Sequence, residues 1–548
     1  MMKENFVKML ESSINSNWDL PAFSDYKGEA LTYGDISREI LKMHYIFRKL
    51  SVKKGDKIAL LGKNSVNWAI VYLATVSYGA VIVPILPDFH ASDVHHIVNH
   101  SDSVLLFALE DIYENLNCEN LKEIIAIFSL ENLSLLYSPK KNLKDKFKSD
   151  MDEFRQQNAE KNENKITFSK ISNNDLHGII YTSGTTGFSK GVMLTNNNFA
   201  ANVVYAQEKM KLEPGDTILS FLPIAHTFGC TFEFLFPFCS GCHITFLNKI
   251  PSPRIILKAF GEVKPRLILS VPLIIEKIYN KQIKPTISKA LMKVLLGLPG
   301  IKNAIYTKIR KKLVTVFGGN FREIVIGGAP LNDEVETFFK KIKFPFTIGY
   351  GMTECAPLIS YANWENHKSK SVGETVFTMQ AKIDSEDSAN IVGEIMVKGE
   401  NLMQGYYKEE KITSECFEDG WLHTGDLGLI DADNYIYIKG RSKSMILGPS
   451  GQNIFPEEIE SKLNNLDCVQ ESLLVKKENK LIALIYPDFE KMDAKKIEEN
   501  ELESIMKKNL SKINKMLPAY SKISKLEIFP EEFEKTPTKK VKRFLYNK

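Results

Sequence analysis

The chain has 548 residues, 44% hydrophobic and 25% charged, the balance of an ordinary globular protein with roughly two to four structural units. Lys and Arg total 71 against 67 Asp and Glu; the formal charge of +4 gives no support to a nucleic-acid partner. Seven cysteines, an odd number in so long a chain, argue against a disulfide framework and fit a cytoplasmic setting.

Met1 to Asp19 is polar and amphipathic without an apolar h-region, so no signal peptide is expected. Lys57–Leu61 reads as a strand. From Trp68 to Leu86, nineteen residues carry no charge, a length that just spans a bilayer. Gly79 and Pro84 divide that run. The spacing predicts a helix over Ser65–Ser77, a stop at Gly79 and a strand over Ala80–Ile85, a buried unit rather than a membrane span. Ser138 to Asn164 is highly charged and poor in apolar residues, predicted as a surface loop or linker with some helix. Gly178–Thr182, Arg266–Val271 and Glu323–Ile326 are further apolar runs alternating with helical segments. That alternation predicts an α/β fold with mostly parallel sheets.

Cys239-Ser-Gly-Cys242-His243 has the spacing of a haem-attachment motif, but attachment requires export. The motif also lies in the apolar stretch Phe228 to Phe246, so its cysteines read as core thiols. Composition shifts near Gly440. Beyond it a helix is expected from Pro456, with Glu457 and Glu458 in its first turn and Ile459, Leu463 and Leu466 on one face. Leu502, Ile505, Met506, Leu510 and Ile513 mark a second. Residues 1–440 are therefore expected as a large N-terminal unit and 441–548 as a small α+β domain. From Lys535 to Lys548 there are six basic residues and no acidic one, a pattern that suits either a solvated tail or an anion site.

The strongest chemical signal is Tyr181-Thr-Ser-Gly-Thr-Thr-Gly-Phe-Ser-Lys-Gly191. Gly184, Gly187 and Gly191 let backbone turn and approach closely, and successive N–H groups can form an anion nest. Hydroxyls at Thr182, Ser183, Thr185, Thr186 and Ser189 add donors, and Lys190 adds a charge. This is a phosphate-binding composition, yet neither G-x-x-x-x-G-K-[ST] nor G-x-G-x-x-G.

The segment resembles the signature loop of the adenylate-forming superfamily of acyl-CoA synthetases, luciferases and peptide-synthetase adenylation domains. Further motifs follow in that family's order. Gly327-Gly-Ala-Pro-Leu331 resembles its adenine-binding turn, implicating Gly328, Ala329 and Pro330. Tyr350-Gly-Met-Thr-Glu354 is similar to the motif whose tyrosine stacks on adenine, whose threonine meets the α-phosphate and whose glutamate holds magnesium. The resemblance thus implies nucleotide contacts for Tyr350, Gly351, Met352 and Thr353 and a Mg²⁺ ligand at Glu354, a hard oxygen suited to that ion. Gly393–Gly399 matches a motif read as structural. Trp421-Leu-His-Thr-Gly-Asp426 resembles the ribose-binding segment, with Asp426 as the hydroxyl acceptor. Ile438 and Arg441 fall at further nucleotide contacts, and Lys443 at the family's hinge.

Lys535-Thr-Pro-Thr-Lys-Lys-Val-Lys-Arg543 resembles the C-terminal catalytic motif. Alignment on Thr536-Pro537 puts the catalytic lysine at Lys540, although Lys539 replaces the usual glycine and remains the second choice. Asn196 and Ser444 also depart from the family pattern, where histidine and aspartate are frequent. His226, in Leu222-Pro-Ile-Ala-His-Thr-Phe228, resembles a position near the acyl carboxylate, with positioning, gating and purely structural roles all open.

The implied activity is Mg-ATP-dependent formation of an acyl-adenylate, with Lys540, Glu354, Thr182 and His226 at the reaction centre, then transfer to coenzyme A past Gly451. An acyl carrier protein carries the same thiol and is the alternative acceptor. A non-catalytic acyl- or AMP-binding protein is the alternative of another class. Phe228, Phe232, Phe234, Phe236 and Phe238 either line an acyl tunnel or belong to the core. Val271–Tyr279 and a helical insert over Lys281–Val316 resemble long-chain enzymes, implying a medium- or long-chain fatty acid and raising loose peripheral membrane contact as an expectation.

Overall fold

The computed structural model describes every residue except 141, 159–164, 184–188, 250, 288, 290–294, 296–297, 299–300, 449–451, 479, 537–540 and 547–548. Its largest sheet has eight strands, in the order Gly405–Tyr406, Ser189–Thr195, Leu176–Ser183, Val81–Ile85, Lys57–Leu61, Ser103–Ala108, Ala126–Ser129 and Leu135–Tyr137. The five strands from Leu176–Ser183 to Ala126–Ser129 are parallel to one another, while Ser189–Thr195 and the two edge strands pair antiparallel. Central strands buried on both faces require continuous apolar runs rather than alternation; Lys57-Ile-Ala-Leu-Leu61 and Val81-Ile-Val-Pro-Ile85 supply them.

The uncharged run is a helix–turn–strand unit. Its helix spans Val66–Tyr78; Ser65 caps the start by accepting from Trp68 N at 3.2 Å, and Gly79 ends it at φ 87°. Trp68 is fully buried and stacks on Tyr72. Among the described residues no helix is long and apolar enough to cross a membrane.

Two further sheets are mainly parallel. One runs Thr217–Ser220, His243–Phe246, Pro21–Asp25 and Leu31–Thr32, the last antiparallel; the other runs Leu267–Ser270, Glu323–Ile326 and Phe346–Ile348. An antiparallel sheet is built on the long strand Trp421–Ile430, flanked by Gly393–Gly399 and by Ile436–Arg441. The charged stretch after Ser138 contains the helical portion expected of it. It carries the helix Leu143–Asn158, which seats Phe147 and Met151 on the core.

Phe232, Phe234, Phe236 and Phe238 are fully buried, packed in part against Phe23, Tyr33, Trp68, Tyr72 and Phe246, so these four rings are core. Cys242 is buried and Cys239 packs on the same core, with both thiols pushed up by burial; His243 is hydrogen-bonded to Ser24 Oγ at 2.9 Å.

Beyond Gly440 a separate apolar cluster forms. Ile459, Leu463 and Leu466 meet Leu502, Met506 and Ile513 over the sheet Val469–Lys477, Lys480–Pro487 and Lys525–Ile528. The helices Pro456–Leu463 and Glu499–Met516 pack on the expected apolar faces, and a shorter helix, Phe489–Lys495, lies between them in the chain.

Candidate active site

Strands Leu176–Ser183 and Ser189–Thr195 pair antiparallel, with Thr182 opposite Lys190 and Ser183 opposite Ser189. The two ends of the predicted phosphate loop are therefore held together by an antiparallel ladder in the main sheet. Gly184, Thr185, Thr186 and Gly187 lie outside the described residues. Behind the hairpin, Tyr181 OH is hydrogen-bonded to His100 Nδ1 at 2.7 Å, which ties the strand to the helix Ala91–His100.

Lys190 extends over the ring of Tyr406, its Nζ 5.2 Å from the ring centroid. The same tyrosine donates from its hydroxyl to Glu354 Oε1 at 2.8 Å. Burial raises the Tyr406 pKa, and the Glu354 charge and hydrogen bond raise it further, so the phenol remains a donor. The phosphate-loop lysine and the expected magnesium ligand thus meet on one aromatic residue. Cys416 also lies here. Burial raises its thiol pKa against the opposing fields of Lys190 and Lys443. A single carboxylate next to the strands that flank the expected phosphate loop fits Mg²⁺, which takes few protein ligands alongside phosphate oxygens and water.

Asp426 lies on Trp421–Ile430 directly opposite Arg441 on the neighbouring strand. Arg441 Nε approaches Asp426 Oδ1 at 2.9 Å, and Tyr350 OH donates to Oδ2 at 2.6 Å. Asp426 N donates to Thr424 Oγ1 at 3.0 Å within the same strand. Burial and the Asp426 charge hold the Tyr350 hydroxyl well above its ordinary range. The three motifs that carry Tyr350, Asp426 and Arg441 therefore converge on one carboxylate. Ile438, opposite Gly428, lies partly buried on the same strand as Arg441.

The segment Tyr350-Gly-Met-Thr-Glu354 folds back on itself. Tyr350–Gly351 pairs with Leu358–Tyr361, and Thr353–Cys355 forms a 3-10 turn that leaves Thr353 and Glu354 half-buried. Gly351 is required by packing, since a Cβ there would stand 2.1 Å from Pro357 O. Met352 N donates to the same carbonyl at 2.9 Å.

Gly328, Ala329 and Pro330 form an exposed turn after the strand Glu323–Ile326, with Gly328 at φ 87°. The preceding Gly327 faces Phe228, whose Cζ would be 3.1 Å from an added Cβ. Phe228 thus brings the segment carrying His226 against the expected adenine turn.

Two residues without a sequence signal fix that segment. Asn64 Nδ2 donates to Leu222 O at 2.7 Å, and its Oδ1 accepts from Ile224 N at 3.1 Å. The buried Glu233 accepts from Phe221 N and Leu222 N, both at 3.0 Å, and burial raises its pKa well above the carboxylate range. Asn64 was invisible because its partners lie more than a hundred residues away. Glu233 was masked by its phenylalanine neighbours.

The C-terminal motif is anchored on both sides of residues 537–540, which include Lys539 and Lys540 and lie outside the described residues, as does Gly451. Lys535 pairs with Glu471 at 3.0 Å and Glu532 at 2.6 Å. The solvated-tail reading fails for Arg543. Its guanidinium makes two 2.7 Å contacts with the carboxylate of the buried Glu460, because an interior carboxylate needs a cation to offset desolvation. Lys443 sits in the turn Ser442–Ser444, immediately after the strand that ends at Arg441.

Residues 10–407 match the family model described as AMP-binding enzyme, and the chain belongs to that family. Among curated proteins, the long-chain-fatty-acid–CoA ligase FadD15 of Mycobacterium bovis is 28% identical over 538 residues, covering 90% of this chain and 86% of its own. Long chain acyl-CoA synthetase 3 of Arabidopsis thaliana is 28% identical, over 83% of this chain and 73% of its own. The same fold occurs in ATP-bound MatB from Rhodopseudomonas palustris (TM-score 0.76, 21% identity, 99% of this chain and 98% of that one). It occurs also in the O-succinylbenzoate coenzyme A synthetase MenE of Bacillus subtilis in complex with AMP (TM-score 0.76, 20% identity, 99% and 98%).

Proposed function

We propose that this protein is an AMP-forming fatty acid–CoA ligase acting on medium- or long-chain acids. The observation that carries the reading is Asp426, gripped by Tyr350 and Arg441, together with a second cluster of Lys190, Tyr406 and Glu354 that the short segment Tyr350–Glu354 joins to it. One cluster suits a ribose and base; the other suits a polyphosphate. The names of the curated relatives support the acyl-CoA product and the longer acids.

In this reading a fatty acid carboxylate attacks the α-phosphate of ATP and pyrophosphate leaves. The protein mainly positions and neutralises. Thr182, Ser183, Gly184, Thr185, Thr186, Gly187 and Lys190 cradle the phosphates. Gly328, Ala329, Pro330, Tyr350, Gly351, Met352, Thr353 and Ile438 frame the nucleoside and α-phosphate, while Asp426 and Arg441 hold the ribose. Glu354 would hold Mg²⁺, which when bound supplies charge neutralisation at the phosphates. Lys540 stabilises charge between carboxylate and α-phosphate. His226 orients the acyl carboxylate from its pinned segment.

Residues 441–548 act as a lid turning at Lys443. Direct contacts between it and the rest include Asn332 Nδ2 donating to Asn465 Oδ1 at 2.7 Å and the ion pair Lys281–Glu490 at 3.1 Å, both readily exchanged for water. Rotation withdraws Lys540 and brings Gly451 toward the pantetheine of coenzyme A. The thiol then attacks the anhydride and AMP leaves.

The test is pyrophosphate release with Mg-ATP across saturated acids from acetate to stearate, with and without coenzyme A. Turnover peaking with the longer acids, with acyl-CoA formed only when coenzyme A is present, is the expected result. Pyrophosphate without acyl-CoA would shift the acceptor to a carrier protein. Silence with every acid would overturn the fatty acid reading. Lys540→Ala should abolish adenylation and Lys539→Ala should not.

A further inference from the structure

We propose that Tyr406 is a positioning residue that sets the carboxylate of Glu354 for the divalent cation and aligns Lys190 for the polyphosphate. The inference rests on the ligase reading and deepens it, since nothing in the motifs assigns this tyrosine a role. Tyr406 spans both halves of the phosphate site. Its hydroxyl donates to Glu354 Oε1 at 2.8 Å, and its ring carries Lys190 Nζ 5.2 Å from the centroid.

The strand Gly405–Tyr406 is fixed on two sides. Gly405 and Tyr406 pair with Met193 and Val192 on the return strand of the phosphate hairpin. Gln404 N donates to Met193 O at 3.0 Å and Tyr407 N to Gly191 O at 2.8 Å. Just upstream, Met403 N donates to Glu354 O at 2.8 Å, so the same segment is tied to the backbone of the candidate metal ligand. Tyr406 N donates to Thr413 Oγ1 at 2.8 Å. Gly405, at φ 141°, has Thr413 Cγ2 where a side chain would stand, 2.5 Å from an added Cβ. With the main chain held at both neighbours, the ring has little freedom to leave Glu354.

The physical case has two parts. A carboxylate that binds a cation gains affinity when an outer donor fixes its orientation in advance, and loss of such a donor typically weakens metal binding or activity about 10- to 100-fold. A cation over an aromatic face keeps its position without surrendering its charge, so Lys190 stays available to a phosphate. Tyr406 is 8% exposed and its hydrogen bond to Glu354 is part-buried, which limits competition from bulk water there.

Tyr406→Phe removes the hydroxyl and keeps the ring; Tyr406→Leu removes both. Magnesium is titrated at fixed ATP and a saturating acid, with pyrophosphate as readout and melting temperature as the folding control. The expected result is a half-saturating magnesium concentration raised about tenfold in Tyr406→Phe, with KM for the acid unchanged. Tyr406→Leu should add a rise in KM for ATP. A Tyr406→Phe curve superimposed on wild type overturns the proposal. So does an equal loss at every magnesium concentration with a lowered melting temperature, which marks a structural role. If wild type releases no pyrophosphate with any acid, the ligase reading fails separately. Calorimetric titration of ATP with and without magnesium then decides: Tyr406→Phe must weaken only the magnesium-dependent binding, and equal weakening in both titrations overturns the proposal.

Discussion

Tyr350 and Asp426 lie 76 positions apart and are joined by a 2.6 Å hydrogen bond in a buried setting. The phenol aims one carboxylate oxygen while Arg441 holds the other at 2.9 Å. A hydrogen bond to a charged group contributes about 1.5–3 kcal/mol. Tyr350→Phe keeps an aromatic face for the base and loses only that bond. AMP should then bind about tenfold more weakly by isothermal titration. Unchanged affinity would mean that Arg441 alone orients the carboxylate.

Arg543 and Glu460 yield a stability prediction. Glu460 is buried, and its Oε1 also accepts from Leu474 N at 2.6 Å. Arg543→Ala leaves that carboxylate uncompensated and should destabilise the C-terminal cluster by about 3–5 kcal/mol. Replacing both residues by apolar ones of similar size should recover most of the loss, because the desolvation cost disappears with the charges. Urea denaturation followed by hydrogen exchange in Val469–Lys477 would measure both.

Two buried histidines predict acid sensitivity. Burial lowers His44 and His177 from 6.5 to about 4. Between those values the unfolded chain binds protons that the folded chain refuses, so stability rises with pH through that window. Each histidine adds a slope of about 1.4 kcal/mol per pH unit between pH 6.5 and 4, and nothing above pH 7. Denaturant melts at pH 7, 6 and 5 should show this loss, and a His177→Gln variant should show a shallower one.

Two glycines should respond oppositely to alanine. At Gly351 a Cβ would be 2.1 Å from a backbone oxygen, so Gly351→Ala must move the turn that carries Glu354 and should lose most adenylation as well as about 1–3 kcal/mol. Gly261 lies in the helix Pro253–Val263 with nothing within 4 Å of an added Cβ. Gly261→Ala should be neutral or stabilise by about 0.5–1 kcal/mol. Thermal melts and pyrophosphate release would separate the two.

The sequence alone determined what depends on local chemistry. Ser65 and Gly79 bounded a helix because a hydroxyl and a left-handed glycine satisfy orphan backbone groups wherever the helix lies. Uncharged runs such as Val81–Ile85 announced central strands because both faces are buried. The family motifs picked out the Thr182–Lys190 hairpin, Glu354, Asp426 and Arg441 in chain order. Tertiary structure decided what depends on distance through space. It took Phe232, Phe234, Phe236 and Phe238 into the core and seated Phe147 and Met151 of the helix Leu143–Asn158 against it. It paired Arg543 with a carboxylate 83 positions away and placed Tyr406 between Lys190 and Glu354. Such partners leave no periodicity or spacing in the chain, because which apolar face closes on which, and which buried charge must be matched, is fixed only when the separate elements pack together.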